Sequence, residues 1–110
     1  MTSVKFLANS KGLYGFEISG HSSRDCDDSA GKIVCAAVSS AAFMAANTIT
    51  EVIGDKAEAF ADDALMVVKC ENPNEQSITV LEGLKLHLTE LATQYSNNIK
   101  IFGGAKNVKD

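Results

Sequence analysis

The sequence has 110 residues, of which 45% are hydrophobic and 22% charged, a balance typical of an ordinary globular domain rather than a disordered chain. Its formal net charge of -4, from 10 basic and 14 acidic residues, argues against extensive contact with nucleic-acid phosphates. We therefore expect one domain over residues 1–110, with a small core that oligomerisation would help to stabilise.

No part of the sequence has the pattern of a targeting or membrane segment. The first residues lack the apolar run and small-residue cleavage site of a signal peptide. The most apolar stretch, residues 33–46, is rich in alanine and interrupted by Ser39 and Ser40, so we expect it to be too short to span a bilayer. The three cysteines contain no CxxC pair, which predicts free thiols and a reducing, cytoplasmic location without a membrane partner.

The first half of the chain predicts a hairpin followed by a long helix. Residues 3–8 and 13–19 alternate between apolar and polar side chains, as half-buried strands do. A polar, acidic loop follows His21. Residues 32–53 then predict one Ala-rich helix, capped by Ser29 or by the backbone around Gly31, that ends at Gly54 in the left-handed conformation.

The second half predicts another hairpin, a second helix and a last strand. Residues 56–61 and 64–70 flank an acidic turn, and residues 75–95 carry apolar side chains at helical spacing. Residues 99–102 read as a short strand, and residues 103–110 as a frayed tail. The order ββαββαβ predicts an α+β fold, with a mostly antiparallel sheet and two main helices.

Cys35 is the first candidate for chemistry, because it is predicted to lie in the first turn of the long helix. There the helix dipole favours a thiolate, and the N–H of Ala36 is available to bind an oxyanion. The same pattern also fits a buried structural cysteine, since cysteine is among the most frequently buried residues.

His21 is the second candidate, because it ends a strand a short loop before that helix. A histidine near a thiol lowers its pKa and can protonate a leaving amine. Asp27 or Asp28 is a candidate third group that orients the imidazole. The alternative is an ordinary surface histidine at a strand end.

The remaining titratable residues suggest no cofactor. Cys26 is expected to be an exposed thiol or a resolving thiol, and with His21 and Cys35 it matches no zinc-binding pattern. We expect Cys70 to belong to the core and His87 to serve packing or an interface. We predict neither a metal nor a cofactor.

The segment from Gly20-His21 through the polar loop to Gly31-Lys32-Ile33-Val34-Cys35-Ala36-Ala37-Val38-Ser39 resembles the ribosomal-processing cysteine protease family called Prp. The similarity extends over nearly the whole chain, from the first hairpin to the last strand. Both candidate catalytic residues lie within the motif, which makes the pattern fairly specific.

The resemblance implies a cysteine endopeptidase that removes the N-terminal extension of bacterial large-ribosomal-subunit protein twenty-seven, after an apolar, aromatic-rich stretch. It implies a homodimer packed through helices, with a function in ribosome biogenesis. It assigns Cys35 as nucleophile, His21 as general base and acid, and Ser39 as support for the site. The loop expected to cover the substrate contributes Ser22, Arg24, Asp27, Asp28 and Gly31.

Two departures from the family pattern stand near the motif. Ser22 follows the histidine where many relatives have alanine, and Lys32 occupies a position that is acidic in many relatives. A lysine near Cys35 would also stabilise a thiolate. Two other functions stay open: a non-catalytic ribosome-associated module that binds a peptide, and a thiol redox sensor that uses Cys26 and Cys35.

Overall fold

A computed structural model describes residues 1–20, 29–63 and 65–104 of the chain. Within them, the predicted element order ββαββαβ is confirmed. The elements are β1 (Thr2–Asn9), β2 (Gly12–Ser19), α1 (Ser29–Asn47) with a π-helical continuation (Thr48–Ile53), β3 (Ala57–Ala61), β4 (Leu65–Cys70), α2 (Glu75–Gln94) and β5 (Ile99–Gly103).

The strands form one mixed sheet in the order β3-β4-β2-β1-β5. The pairs β1–β2, β2–β4 and β3–β4 are antiparallel, whereas β5 runs parallel to β1. The prediction of a mostly antiparallel sheet is therefore confirmed. The parallel pair was not foreseen, because alternating side chains look the same in either orientation.

The core lies between one face of this sheet and the two helices. Val4 and Phe6 of β1 are paired with Ile18 and Phe16 of β2, and all four side chains are buried. The rings of Phe6 and Phe16 are 6.3 Å apart. The helices complete the cluster with small and branched side chains, which are Val34, Val38, Ala42, Ala45 and Ala46 from α1 and Leu81, Leu84 and Leu88 from α2.

The long helix begins earlier than predicted and ends at the predicted residue. It begins at Ser29, one of the two predicted cap positions, three residues before the predicted start at Lys32. Its last six residues are π-helical and end at Gly54, which has the predicted left-handed conformation (φ 78°, ψ 25°). The hydroxyl of Thr50 donates to the Ala46 carbonyl at 3.1 Å, a bond that satisfies an acceptor where the α-helical pattern changes.

The helical stretch Ser29–Ile53 is also longer than the apolar segment considered in the sequence. Its 25 residues are enough, by length and composition alone, to cross a membrane, so the prediction from the shorter segment was wrong on this point. One side of this stretch, however, packs in the core through residues such as Val34 and Ile49. Core helices of soluble proteins can have the same length and apolar composition.

A carboxylate joins the end of the π-helical segment to the start of α2. Asp55 Oδ2 accepts hydrogen bonds from the Ser77 hydroxyl at 2.6 Å and the Asn74 N–H at 2.9 Å. Asn74 caps α2 through its own side chain, which accepts from the Ser77 N–H at 3.0 Å. The bond from Ser77, followed by the bond from Asn74, lowers the pKa of Asp55 below its ordinary value.

The last strand extends one residue beyond its predicted end at Phe102. Gly103 is the last residue of β5, and the Gly104 carbonyl accepts a hydrogen bond from Lys85 Nζ at 3.4 Å. A frayed tail from Gly103 onwards stays a prediction. Its remaining residues, 105–110, lie outside the described residues.

Candidate active site

Cys35 is the seventh residue of α1 and is half-buried. The prediction that it lies in the first turn was wrong, because the helix begins earlier. Helical geometry directs the N–H of Ala36 to the carbonyl of Lys32, four residues before it. Ala36 was predicted to bind an oxyanion because N–H groups in the first turn of a helix are unpaired. Ala36 lies beyond the first turn, so this argument does not apply to it. Its role as an oxyanion donor stays a prediction.

Strand β1 supplies a close neighbour of Cys35 that was not predicted from the sequence. The Oγ1 atom of Thr2 lies 4.0 Å from the Cys35 sulfur, and Thr2 is only 2% exposed. The two residues are 33 positions apart. No local pattern links them, and a signal for this contact would have required knowledge of which strand lies beside α1.

The end of β2 meets the start of β1 next to this contact. Gly20 has a φ of 67°, a conformation that favours glycine. Its backbone approaches Met1 so closely that an added Cβ would collide with the Met1 carbonyl oxygen. Gly20 directly precedes His21, and Met1 directly precedes Thr2. Gly20 therefore lies beside the start of the strand whose Thr2 contacts Cys35.

Several predicted site residues lie outside the described residues: His21, Ser22, Arg24, Cys26, Asp27 and Asp28. Of the others, Ser39 is half-buried on α1 one turn beyond Cys35, as the motif spacing requires. Gly31, predicted to belong to the covering loop, is instead a buried residue in the first turn of α1. Lys32 is exposed in that same turn.

The two described cysteines are in different chemical states. Cys35 is disulfide-bonded, so the prediction of free thiols does not hold for this residue. The absence of a CxxC pair does not prevent two thiols from meeting in the fold. Cys70 is free and buried, as predicted for a core residue. Burial, and to a lesser degree the negative charge of Asp55, raises the pKa of its thiol.

A shallow apolar groove of about 660 Å³ runs between α1 and α2. Small residues on the two helices, among them Ala37, Ala41 and Gly83, leave the space. Met44 lines the groove and is 63% exposed. His87 also lines it, at the position where the sequence predicted packing or an interface. We call this surface the α1–α2 groove.

Across the described ranges, no group of three or more His, Cys, Asp or Glu side chains is arranged to hold a metal ion. The site, as far as these ranges show it, is built from a cysteine, a threonine and closely packed backbone.

The comparisons with known proteins decide the family. The family model for cysteine protease Prp matches residues 1–100. The chain belongs to the Prp cysteine protease family. The resemblance drawn from the Gly20–Ser39 segment is thereby confirmed, and so is the prediction of a cysteine protease. A comparison with curated proteins found no match.

Solved structures show the same fold. SMU.848 from Streptococcus mutans superposes with a TM-score of 0.85 at 21% identity, covering 97% of this chain and 99% of that one. The essential ribosomal processing protease Prp from Staphylococcus aureus, in complex with a substrate peptide, gives 0.84 at 19% identity, covering 94% and 99%. The same Staphylococcus aureus protein with a covalently linked product peptide gives 0.78 at 20% identity, again over 94% and 99%.

Proposed function

We propose that this Prp family member removes the N-terminal extension of bacterial large-ribosomal-subunit protein twenty-seven in the cytoplasm, by cutting after an apolar, aromatic-rich stretch. Cys35 is the nucleophile in this proposal, and His21 is the general base and acid. The observation that carries it is the meeting of three segments at one point. Gly20, directly before His21, packs on Met1, and the adjacent Thr2 contacts the Cys35 sulfur.

The chemistry needs no group beyond these side chains and water. The Cys35 thiolate attacks the scissile carbonyl and forms a thioester, while His21 gives its proton to the leaving amine. Water, deprotonated by His21, then hydrolyses the thioester and restores the thiol. Because only a free thiolate attacks, the disulfide at Cys35 has to be reduced before the first turnover.

The Staphylococcus aureus protein of this fold has been solved with a substrate peptide and with a covalently linked product peptide. Those complexes support a peptide substrate and a covalent intermediate for the present chain. We assign Ser22, Arg24, Asp27 and Asp28 to the segment that covers the peptide. Lys32 occupies a position that is acidic in many relatives, so it cannot supply a carboxylate that orients His21. Asp27 or Asp28 has that role instead.

The test is a cleavage assay read by mass spectrometry. The reduced protein is mixed with a peptide that spans the extended N terminus of that ribosomal protein from the same cell. We expect one cut after the aromatic stretch, and its loss in the Cys35→Ser and His21→Ala variants. Cys70→Ser is the matched control, because it replaces a cysteine that lies in the core and should leave the cut unchanged.

Two results would overturn the proposal. Full cleavage by Cys35→Ser would remove Cys35 as the nucleophile. Tight binding of the intact peptide by both the wild type and the variant, with no cut, would establish a non-catalytic peptide-binding module instead.

The disulfide at Cys35 favours a second candidate function, which is control of the protease by oxidation. We propose that peroxide oxidises Cys35 and a second thiol to a disulfide, with release of two molecules of water, and that a dithiol reverses the reaction. Cys70 is free, and Cys26, the remaining cysteine of the sequence, lies outside the described residues. Peroxide should stop cleavage by the wild type, and a dithiol should restore it. This reversible loss should be absent in Cys26→Ser. Equal behaviour of the two proteins would exclude a disulfide between Cys26 and Cys35.

We also propose that the protein is a homodimer whose subunits pack through their α1–α2 grooves. The groove is apolar, and exposed large side chains lie on α1, including Met44 and Phe43. Sedimentation at several concentrations should show a dimer that Met44→Glu dissociates. Phe60→Glu, at an equally apolar exposed position on β3, is the control and should stay dimeric. A wild type that is monomeric at all concentrations would refute the proposal.

A further inference from the structure

Two polar side chains are buried among the described residues, Thr2 and Ser77. A buried hydroxyl needs a hydrogen-bond partner, since leaving it unpaired costs free energy. Ser77 gives its hydroxyl to the carboxylate of Asp55. The partner that the described structure gives to the Thr2 hydroxyl is the sulfur of Cys35. The Ser77 hydroxyl therefore connects α2 to Asp55, just beyond the π-helical segment. The Thr2 hydroxyl contacts the candidate nucleophile.

We propose that Thr2 is a positioning residue for Cys35: its hydroxyl donates a hydrogen bond to the Cys35 sulfur, which orients the side chain and stabilises the thiolate. This proposal rests on the proposed function of Cys35 as the nucleophile. Thr2 lies on β1, outside the sequence motif that contains His21 and Cys35.

The direction of this hydrogen bond follows from the state of the sulfur. Neither a disulfide sulfur nor a thiolate carries a hydrogen atom, so the Thr2 hydroxyl is the donor in both states. The separation of 4.0 Å is long for a sulfur acceptor. Hydrogen bonds in unliganded active sites are often long and tighten when substrate binds, and a charged acceptor attracts the donor more strongly than a neutral one.

The backbone holds Thr2 firmly in this position. Its N–H donates to the Asn98 carbonyl at 2.9 Å, and it is paired with Ile99 in the parallel β1–β5 ladder. Threonine is branched at Cβ, so few side-chain rotamers are open to it in a strand. The hydroxyl is thus fixed by the fold before the substrate arrives, as a preorganised donor should be.

The experiment measures how fast the Cys35 thiol reacts with iodoacetamide as a function of pH. The protein is first reduced with dithiothreitol and freed of the reductant, and alkylation is read on the Cys35 peptide by mass spectrometry. The variants are Thr2→Val, which keeps the shape and removes the hydroxyl, and Thr2→Ser, which keeps the hydroxyl. Ser77→Ala is the matched control, because it removes the other buried hydroxyl.

We expect Thr2→Val to move the midpoint of the reactivity profile to higher pH and to slow alkylation at neutral pH severalfold, up to about tenfold. Thr2→Ser should restore most of the rate, and Ser77→Ala should leave the profile unchanged. In peptide cleavage, Thr2→Val should lower kcat with little change in KM, because the lost bond acts on the nucleophile.

A Thr2→Val profile that matches the wild type would overturn the proposal, as would equal shifts in Thr2→Val and Ser77→Ala. The alkylation profile needs no peptide substrate. A protein that shows the Thr2 effect but never cuts the ribosomal peptide would therefore refute the proposed function while leaving the Thr2–Cys35 interaction established.

Discussion

Substitution of Gly20 by alanine should separate the geometry of the active site from the stability of the fold. Gly20 has a left-handed φ of 67°, and an added Cβ would come within 3.0 Å of the Met1 carbonyl, closer than real Cβ atoms come to other atoms. Gly54 provides a matched control: its φ is 78°, and an added Cβ would meet nothing within 4 Å. Both variants carry the conformational strain, but only Gly20→Ala carries the collision.

The two contributions can be estimated separately. The left-handed conformation costs a residue with a Cβ about 1–2 kcal/mol, which lowers the Tm of a domain of this size by roughly 4–10 °C. We expect that loss for Gly54→Ala, with wild-type cleavage. In Gly20→Ala the ends of β1 and β2 must also move apart by a distance on the order of 1 Å, and a misplacement of that order costs about a hundredfold in rate.

Peptide cleavage and thermal unfolding of both variants, measured on the same reduced samples, test this reasoning. We expect Gly20→Ala to remain folded at the assay temperature and to lose about two orders of magnitude in kcat/KM. Cleavage by Gly20→Ala within twofold of Gly54→Ala would show that the approach of Gly20 to Met1 does not position the proposed catalytic pair, His21 and Cys35.

Three further predictions concern the fold. Asp55→Ala should lower the free energy of unfolding by about 1–3 kcal/mol at pH 7, because the buried Ser77 hydroxyl loses its acceptor. Since the folded pKa of Asp55 lies below its ordinary value of 3.8, the part of this difference that depends on the carboxylate charge should be complete above that pH and be lost as the pH falls through the folded pKa, so denaturant titrations at several pH values should show the difference shrink. The Cys70 thiol, buried and with a raised pKa, should resist iodoacetamide until the protein unfolds; rapid alkylation of the native protein would contradict its burial. Leu81→Ala should cost about 2–5 kcal/mol in a denaturant titration, whereas Leu86→Ala, on the exposed side of the same helix, should change stability little; equal losses would contradict the packing described.

Elements with a strong local pattern were predictable from the sequence. The alternation around Phe6 and Phe16 placed both strands of the first hairpin, and the helical spacing around Leu81 and Leu88 placed α2 within one residue of its observed end. Gly54 marked the end of the long helix correctly, because a left-handed C-terminal residue is most often glycine.

Features that depend on contacts between distant residues were not predictable. The parallel alignment of β5 with β1 and the contact of Thr2 with Cys35 both join segments far apart in the chain, and nothing in the local pattern specifies them. The start of α1 was predicted three residues late, because Ser29 or the backbone around Gly31 was taken as the cap of a helix that begins at Lys32. Because of that error, Cys35 was predicted to lie about one turn too close to the helix terminus. The expected effect of the helix dipole on its thiol was therefore too large.

The pairing of the first and last strands has a consequence for the order in which the protein matures. Thr2 is held by a hydrogen bond to Asn98 and by pairing with Ile99, which the ribosome adds almost a hundred residues after Thr2. During synthesis, β1 can pair with β2 early, but its other edge stays open until β5 has emerged. Assembly of the surroundings of Cys35 is therefore among the last folding events, and a nascent chain that lacks β5 should be inactive even if its first hairpin and both helices have formed.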